Sequence, residues 1–194
     1  VAFEGYRSIA LDLRGHGESD WAADGDYSLE AIARDLIEVG EHVARGGTRP
    51  HVVGASLGGL AAIVAAGMLS RDAFESVTLV DITPNMDAAQ GEDGRWRWHW
   101  DPAFITGVMR RSGVAHTGDL EQAVRDIRVP LHLIRGRMSE LVSEDSVAAF
   151  RSLAPQAHYT DVAGARHMVA GDRNDVFIEA VVSFLRTIRE QTPV

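Results

Sequence analysis

Ser56, His167 and two carboxylates, Asp81 and Glu140, are the residues of this 194-residue chain whose types and spacing suit acyl-transfer chemistry. Ser56 lies in Gly54-Ala55-Ser56-Leu57-Gly58-Gly59, which fits the Gly-x-Ser-x-Gly turn that drives a serine hydroxyl out of a strand-to-helix corner. Side chains at Gly54 and Gly58 are expected to crowd that turn. With both absent, the backbone can hold Ser56 in a strained conformation and set the Leu57 N–H at a helix N-terminus, facing any oxyanion that forms. A lone serine hydroxyl is a poor nucleophile near neutral pH, so it needs a base within hydrogen-bond reach and a carboxylate to orient that base. His167, in Gly164-Ala165-Arg166-His167-Met168, is the candidate base. It sits on a loop between the last expected strand and the last expected helix. The other histidines are less well placed: His51 and His132 lie in or beside buried strands, His42 and His158 read as surface residues, and no pair has metal-ligand spacing.

The elements that must hold these groups follow from the hydrophobic pattern. Arg7–Leu13 reads as a strand running into the glycine-rich turn Arg14-Gly15-His16-Gly17. Ser28 can cap the next helix, whose apolar stripe is Leu29, Ile32, Leu36 and Val43, with Tyr27 and Ile32 able to staple its start. His51-Val52-Val53 leads as a buried strand into the elbow, and Leu60–Ala66 continues as a buried helix. Ser76–Asp81 is another short strand, closed by Pro84. After Pro130 come a strand at Leu131–Ile134, a helix from about Ser143 to Leu153 and a strand near Ala157–Val162. A last helix carries Phe177, Val181, Phe184, Leu185 and Ile188 at helical spacing. Alternating strands and helices mean an α/β fold with a doubly wound, mostly parallel sheet, where chemistry collects at the carboxyl ends of the strands. Ser56, Asp81, Glu140 and His167 all fall just after expected strands.

Composition narrows the function. With 45% apolar and 24% charged residues the chain has the profile of one globular unit with an ample core. A formal net charge of −9 disfavours a nucleic-acid partner, which calls for a basic face. The absence of cysteine rules out a disulfide framework, a thiolate nucleophile and cysteine-ligated metal. No Walker loop or Gly-x-Gly-x-x-Gly fingerprint supports a nucleotide, so no cofactor and no metal are expected. No apolar run is long enough to cross a membrane and the amino end lacks a secretory pattern, so the expectation is a cytoplasmic protein acting on a small molecule.

Taken in order, Asp12-Leu13-Arg14-Gly15-His16-Gly17-Glu18-Ser19-Asp20, the elbow at 54–59, Leu79-Val80-Asp81-Ile82-Thr83-Pro84, Arg135-Gly136-Arg137-Met138-Ser139-Glu140-Leu141-Val142 and the histidine loop at 164–172 resemble the α/β-hydrolase fold superfamily, and its serine esterases in particular. The resemblance implies Ser56 as nucleophile, His167 as base and the Leu57 amide as an oxyanion donor. It leaves the acid open: most resembling members place it where Glu140 stands, some esterases where Asp81 stands. It implies an α/β-hydrolase core over 1–84 and 129–194 and a reduced cap over 85–128. Two departures stand out. Members normally begin with about three more strands and a His-Gly segment that supplies a second oxyanion donor, and their cap is longer. Either segments of the protein lie outside this sequence, which is the favoured expectation because a free-standing half-sheet would expose an apolar edge, or the chain is a truncated, inactive relative.

The implied activity is a serine hydrolase of small or medium apolar carboxylic esters or lactones, working through an acyl-enzyme. Serine at the elbow disfavours epoxide hydrolase and dehalogenase chemistry, for which the resembling enzymes use aspartate. A carbon–carbon hydrolase, a cofactor-free perhydrolase or a non-catalytic ligand-binding relative are the alternatives. Within the cap, Trp96, Trp98 and Trp100 alternate with polar residues, so in an extended conformation their indoles share one face. They are candidates for lining an apolar pocket above Ser56 or for anchoring the cap to the body.

Overall fold

The structure is a computed structural model, and it describes residues 5–44, 47–85, 89–90, 96–97 and 117–191. Its centre is a parallel sheet of four strands, β1 (His51–Ala55), β2 (Ser76–Val80), β5 (Leu131–Gly136) and β6 (His158–Val162), in the order β1-β2-β5-β6. Two further strands of two residues each, β3 (Ala89–Gln90) and β4 (Trp96–Arg97), pair antiparallel apart from this sheet. The helices are α1 (Leu29–Val43), α2 (Leu57–Val64, running on as a π turn through Leu69), α3 (Thr117–Asp126), α4 (Glu144–Leu153), α5 (Val169–Asp172) and α6 (Asn174–Gln191).

Strand alternation splits the core in two. Val77, Leu79, Leu131 and Leu133 face a cluster built with α1, α2, α3 and α4, while Val80, Ile134 and Val162 face Val181, Phe184 and Leu185 of α6. Helices therefore cover both faces, as expected of a doubly wound fold. Every residue of β2 and β5 is buried, because a strand covered on both faces has no polar side to show water. The expected caps are present: the Ser28 hydroxyl accepts from Ala31 N–H at 3.1 Å at the start of α1, and Ser143 does the same for Ser146 N–H at 3.1 Å at the start of α4.

Two features differ from the sequence reading. Residues 7–13 form no strand; Ile9 is 49% and Leu11 39% exposed, and no described strand lies beside them to take their backbone hydrogen bonds. Helix α3 falls inside the stretch assigned to the cap, yet it packs Leu120, Ala123 and Val124 into the main core. Gly67 makes that approach possible, since a Cβ there would collide with the Ala123 carbonyl.

Candidate active site

The site is assembled by strand register. Ala55 and Val80 are partners at the carboxyl ends of β1 and β2, so the next residues, Ser56 and Asp81, leave the sheet side by side. Both have positive φ, 50° for Ser56 and 49° for Asp81, and they are the only non-glycine residues so disposed among the described ones. Residues with side chains adopt this backbone only when their surroundings impose it.

At Ser56 the imposition comes from glycines. A Cβ on Gly54 would sit 2.5 Å from the Gly58 carbonyl oxygen, and one on Gly59 would run into the Ile82 side chain. Gly58, expected to be a crowded position, has open space around it among the described residues, so Gly59 takes the role given to it. Helix α2 then starts at Leu57, and the Ser56 carbonyl accepts from Gly59 N–H at 2.9 Å and Leu60 N–H at 3.1 Å. The Ser56 side chain makes no capping bond to α2. Its hydroxyl is not spent on capping the helix, and the Leu57 N–H belongs to the first turn, whose donors have no acceptor within the helix.

Asp81 is fully buried and well satisfied. Its Oδ1 accepts from Gly136 N–H at 3.0 Å, and its Oδ2 accepts from the Ser139 hydroxyl at 2.5 Å and from His167 Nδ1 at 2.8 Å. A carboxylate removed from water stays ionised only when donors replace the lost solvent, and three do so here. An ionised carboxylate only accepts, so His167 Nδ1 is the donor in this bond, and Nε2 is the ring nitrogen not engaged by Asp81. His167 arrives on the loop between β6 and α5. That loop is tied to the turn after β5 by Met138 N–H to the Ala165 carbonyl at 2.9 Å, and to its own helix by Arg166 N–H to Asp172 Oδ2 at 2.8 Å.

Of the four residues singled out for catalysis, the structure sets Ser56 and Asp81 next to each other and joins Asp81 to His167. Glu140 stands apart: its carboxylate meets Arg166 Nη1 at 3.3 Å, with the two side chains 58% and 64% exposed. Trp98 and Trp100 lie outside the described residues, and of Trp96 only the backbone, in β4, is described. Sequence reasoning missed Ser139 and Gly136 as donors to Asp81. Ser139 sits in the turn after β5, where a hydroxyl reads as an ordinary turn residue.

His132 does not join the site. It is buried under α6, where burial, reinforced by the neighbouring His158, lowers its pKa to about 4. No group of three or more His, Cys, Asp or Glu side chains among the described residues is arranged to hold a metal ion, and no described helix is long and apolar enough to cross a membrane.

A strained serine at a strand-to-helix corner, beside a buried aspartate that orients a histidine, is an arrangement that recurs across one large fold family. Residues 1–126 match the alpha/beta hydrolase fold family. The chain belongs to it. An esterase of Mycobacterium tuberculosis is 43% identical over 81 residues, a match that takes in 42% of this chain and 26% of that protein. A 2-(acetamidomethylene)succinate hydrolase of Mesorhizobium japonicum is 28% identical over an alignment of 222 residues that takes in 93% of this chain and 78% of that protein. Among solved structures of α/β hydrolases, the mycobacterial esterase superposes with a TM-score of 0.66 at 25% identity over 90% of this chain and 73% of its own. The crystal structure of E-2-(acetamidomethylene)succinate hydrolase gives 0.69 at 23% identity over 90% of this chain and 80% of its own, a likeness of fold alone. In sequence, then, the match to the curated esterase spans about a quarter of that protein's length.

Proposed function

We propose that this α/β hydrolase is a serine hydrolase of small or medium apolar carboxylic esters or lactones. The observation that carries the reading is the His167–Asp81 hydrogen bond at 2.8 Å, made at the strand end next to Ser56. In the proposed reaction the Ser56 Oγ attacks the ester carbonyl carbon while His167 Nε2 takes the hydroxyl proton. The Leu57 N–H faces the resulting oxyanion. Collapse breaks the ester C–O bond, and His167 returns the proton to the departing alkoxide. Water, deprotonated in turn by His167, attacks the acyl-enzyme, releasing the acid and restoring Ser56. Asp81 holds His167 in one orientation and tautomer.

A second reading, a substrate that itself bears a carboxylate, draws on the relative named for 2-(acetamidomethylene)succinate and on Arg166, an exposed cation one residue from His167. An activity-based fluorophosphonate followed by intact-mass measurement tests the common part. One adduct that disappears in Ser56→Ala is expected, and no adduct on the wild-type protein would sink the hydrolase reading. Comparing p-nitrophenyl esters of rising acyl length with 2-(acetamidomethylene)succinate then chooses between the two substrate classes.

A further inference from the structure

We propose that Ser139 is a positioning residue of this site, its hydroxyl clamping Asp81 and sharing the charge of the very oxygen that aims His167. The inference rests on the proposed Ser56–His167–Asp81 assignment.

The Ser139 hydroxyl has one proton to give and two lone pairs to offer. Leu141 N–H at 3.1 Å and Val142 N–H at 3.2 Å both donate to its oxygen, and Asp81 Oδ2 stands 2.5 Å away. A carboxylate cannot donate and the two amides cannot accept, so the proton of Ser139 points to Asp81 and its whole hydrogen-bonding capacity is used. The oxygen it reaches is the one bonded to His167 Nδ1, whereas the other carboxylate oxygen takes the Gly136 N–H. The turn behind Ser139 is itself braced: Arg135, only 6% exposed, donates from Nε to the Val142 carbonyl at 2.7 Å. Arg135, the 139–142 turn, Asp81 and His167 thus form one connected series in which each partner's orientation is set by the one before. A serine serving the turn alone would need its two acceptor bonds only; the third bond couples the turn to the site. The exposed Glu140–Arg166 ion pair and the Asp172 carboxylate, which accepts from the Arg166 amide, make no bond to Asp81 among the described residues.

Removing the hydroxyl leaves a buried carboxylate with one donor fewer and more charge on Oδ2. The carboxylate then protonates more readily and grips the imidazolium form of His167 more tightly, and both effects push the active form to higher pH. The test measures kcat and KM against pH on an aryl ester for wild type, Ser139→Ala and Ser139→Thr, with the hydrogen-bonded Nδ1 proton of His167 followed by NMR. In Ser139→Ala we expect kcat to fall about ten-fold with KM little changed. The acid limb of kcat/KM should rise by about half a pH unit, and the Nδ1 proton should move further downfield. Threonine, which keeps the hydroxyl, should return all three toward wild type. A loss of rate with the acid limb and the Nδ1 proton unmoved would mean damage to the turn alone and would overturn the proposal, as would wild-type behaviour of the alanine variant. If alanine does not yield folded protein, Ser139→Cys, a weaker donor of similar shape, reads the same shifts. Failure of the hydrolase reading shows separately, as a wild-type protein that forms no Ser56 adduct; the Nδ1 proton then decides the role of Ser139 by the same criterion.

Discussion

A histidine bonded through Nδ1 to a buried carboxylate keeps one tautomer and one ring orientation, and Asp81 provides that bond to His167 at 2.8 Å. An asparagine at 81 would fill the same space yet can present an N–H where the ring now finds an acceptor, leaving His167 in the wrong tautomer. We expect Asp81→Asn to lower kcat by about 10³- to 10⁴-fold with little change in KM. Glu140→Gln removes only an exposed ion pair with Arg166 and should change kcat by less than about three-fold. Steady-state hydrolysis of an aryl ester by the two variants checks both, and equal losses would overturn the assignment of Asp81. The sequence presents the two acids as equals because each follows a buried strand. What separates them is the left-handed backbone at Asp81, φ 49°, and the donors Gly136 and Ser139 waiting beyond β5. None of these is written in the spacing.

At the level of elements, the elbow divides its glycines into those that keep backbones apart and one that does not. Alanine at Gly54 would press on the Gly58 carbonyl and alanine at Gly59 on Ile82 and the Gly54 backbone, so each should cost about 1–3 kcal/mol or more and disturb Ser56. Alanine at Gly58 meets open space among the described residues and has no left-handed φ to relieve, so it should be neutral or stabilise by up to about 1 kcal/mol. Urea unfolding of the three variants measures the contrast; a Gly58→Ala loss matching that of Gly54→Ala would contradict it. Elements with local signals were legible: Ser28 announces α1, Ser143 announces α4, and the apolar runs at 131–134 and 76–80 are strands. Residues 7–13 were not, because their alternation is compatible with a strand but a strand exists only with a partner ladder beside it. Helix α3 was missed for a related reason. Its apolar residues Leu120, Ala123 and Val124 are few, and only the close approach at Gly67 shows that they belong to the core.

The whole molecule balances a dry face under α1, α2, α3 and α4 against a face under α6 that admits polar groups. On the second face Thr78 and His132 are register partners on β2 and β5, both buried, and their Oγ1 and Nδ1 have no hydrogen-bond partner among the described residues. The His132 Nε2 meets Thr160 at 2.9 Å, its ring packs on Phe184, and burial followed by repulsion from His158 lowers its pKa to about 4. An unfolded histidine titrates near 6.5, so above that pH both states hold His132 neutral and the group adds no pH dependence. As pH falls from about 6.5 to about 4, the unfolded chain takes up a proton that the folded one refuses, and the native state loses stability throughout this interval. Below about 4 both forms are charged and the loss is complete. The total is about 3 kcal/mol, with His51, also lowered by burial, adding in the same direction. Carboxylates titrate in the same range, so the variant His132→Gln, which cannot be protonated, isolates the contribution. Its stability relative to wild type should rise steadily between pH 6.5 and 4 in urea unfolding, whereas a difference that stays constant over that interval would show that His132 takes up its proton equally well in the folded chain.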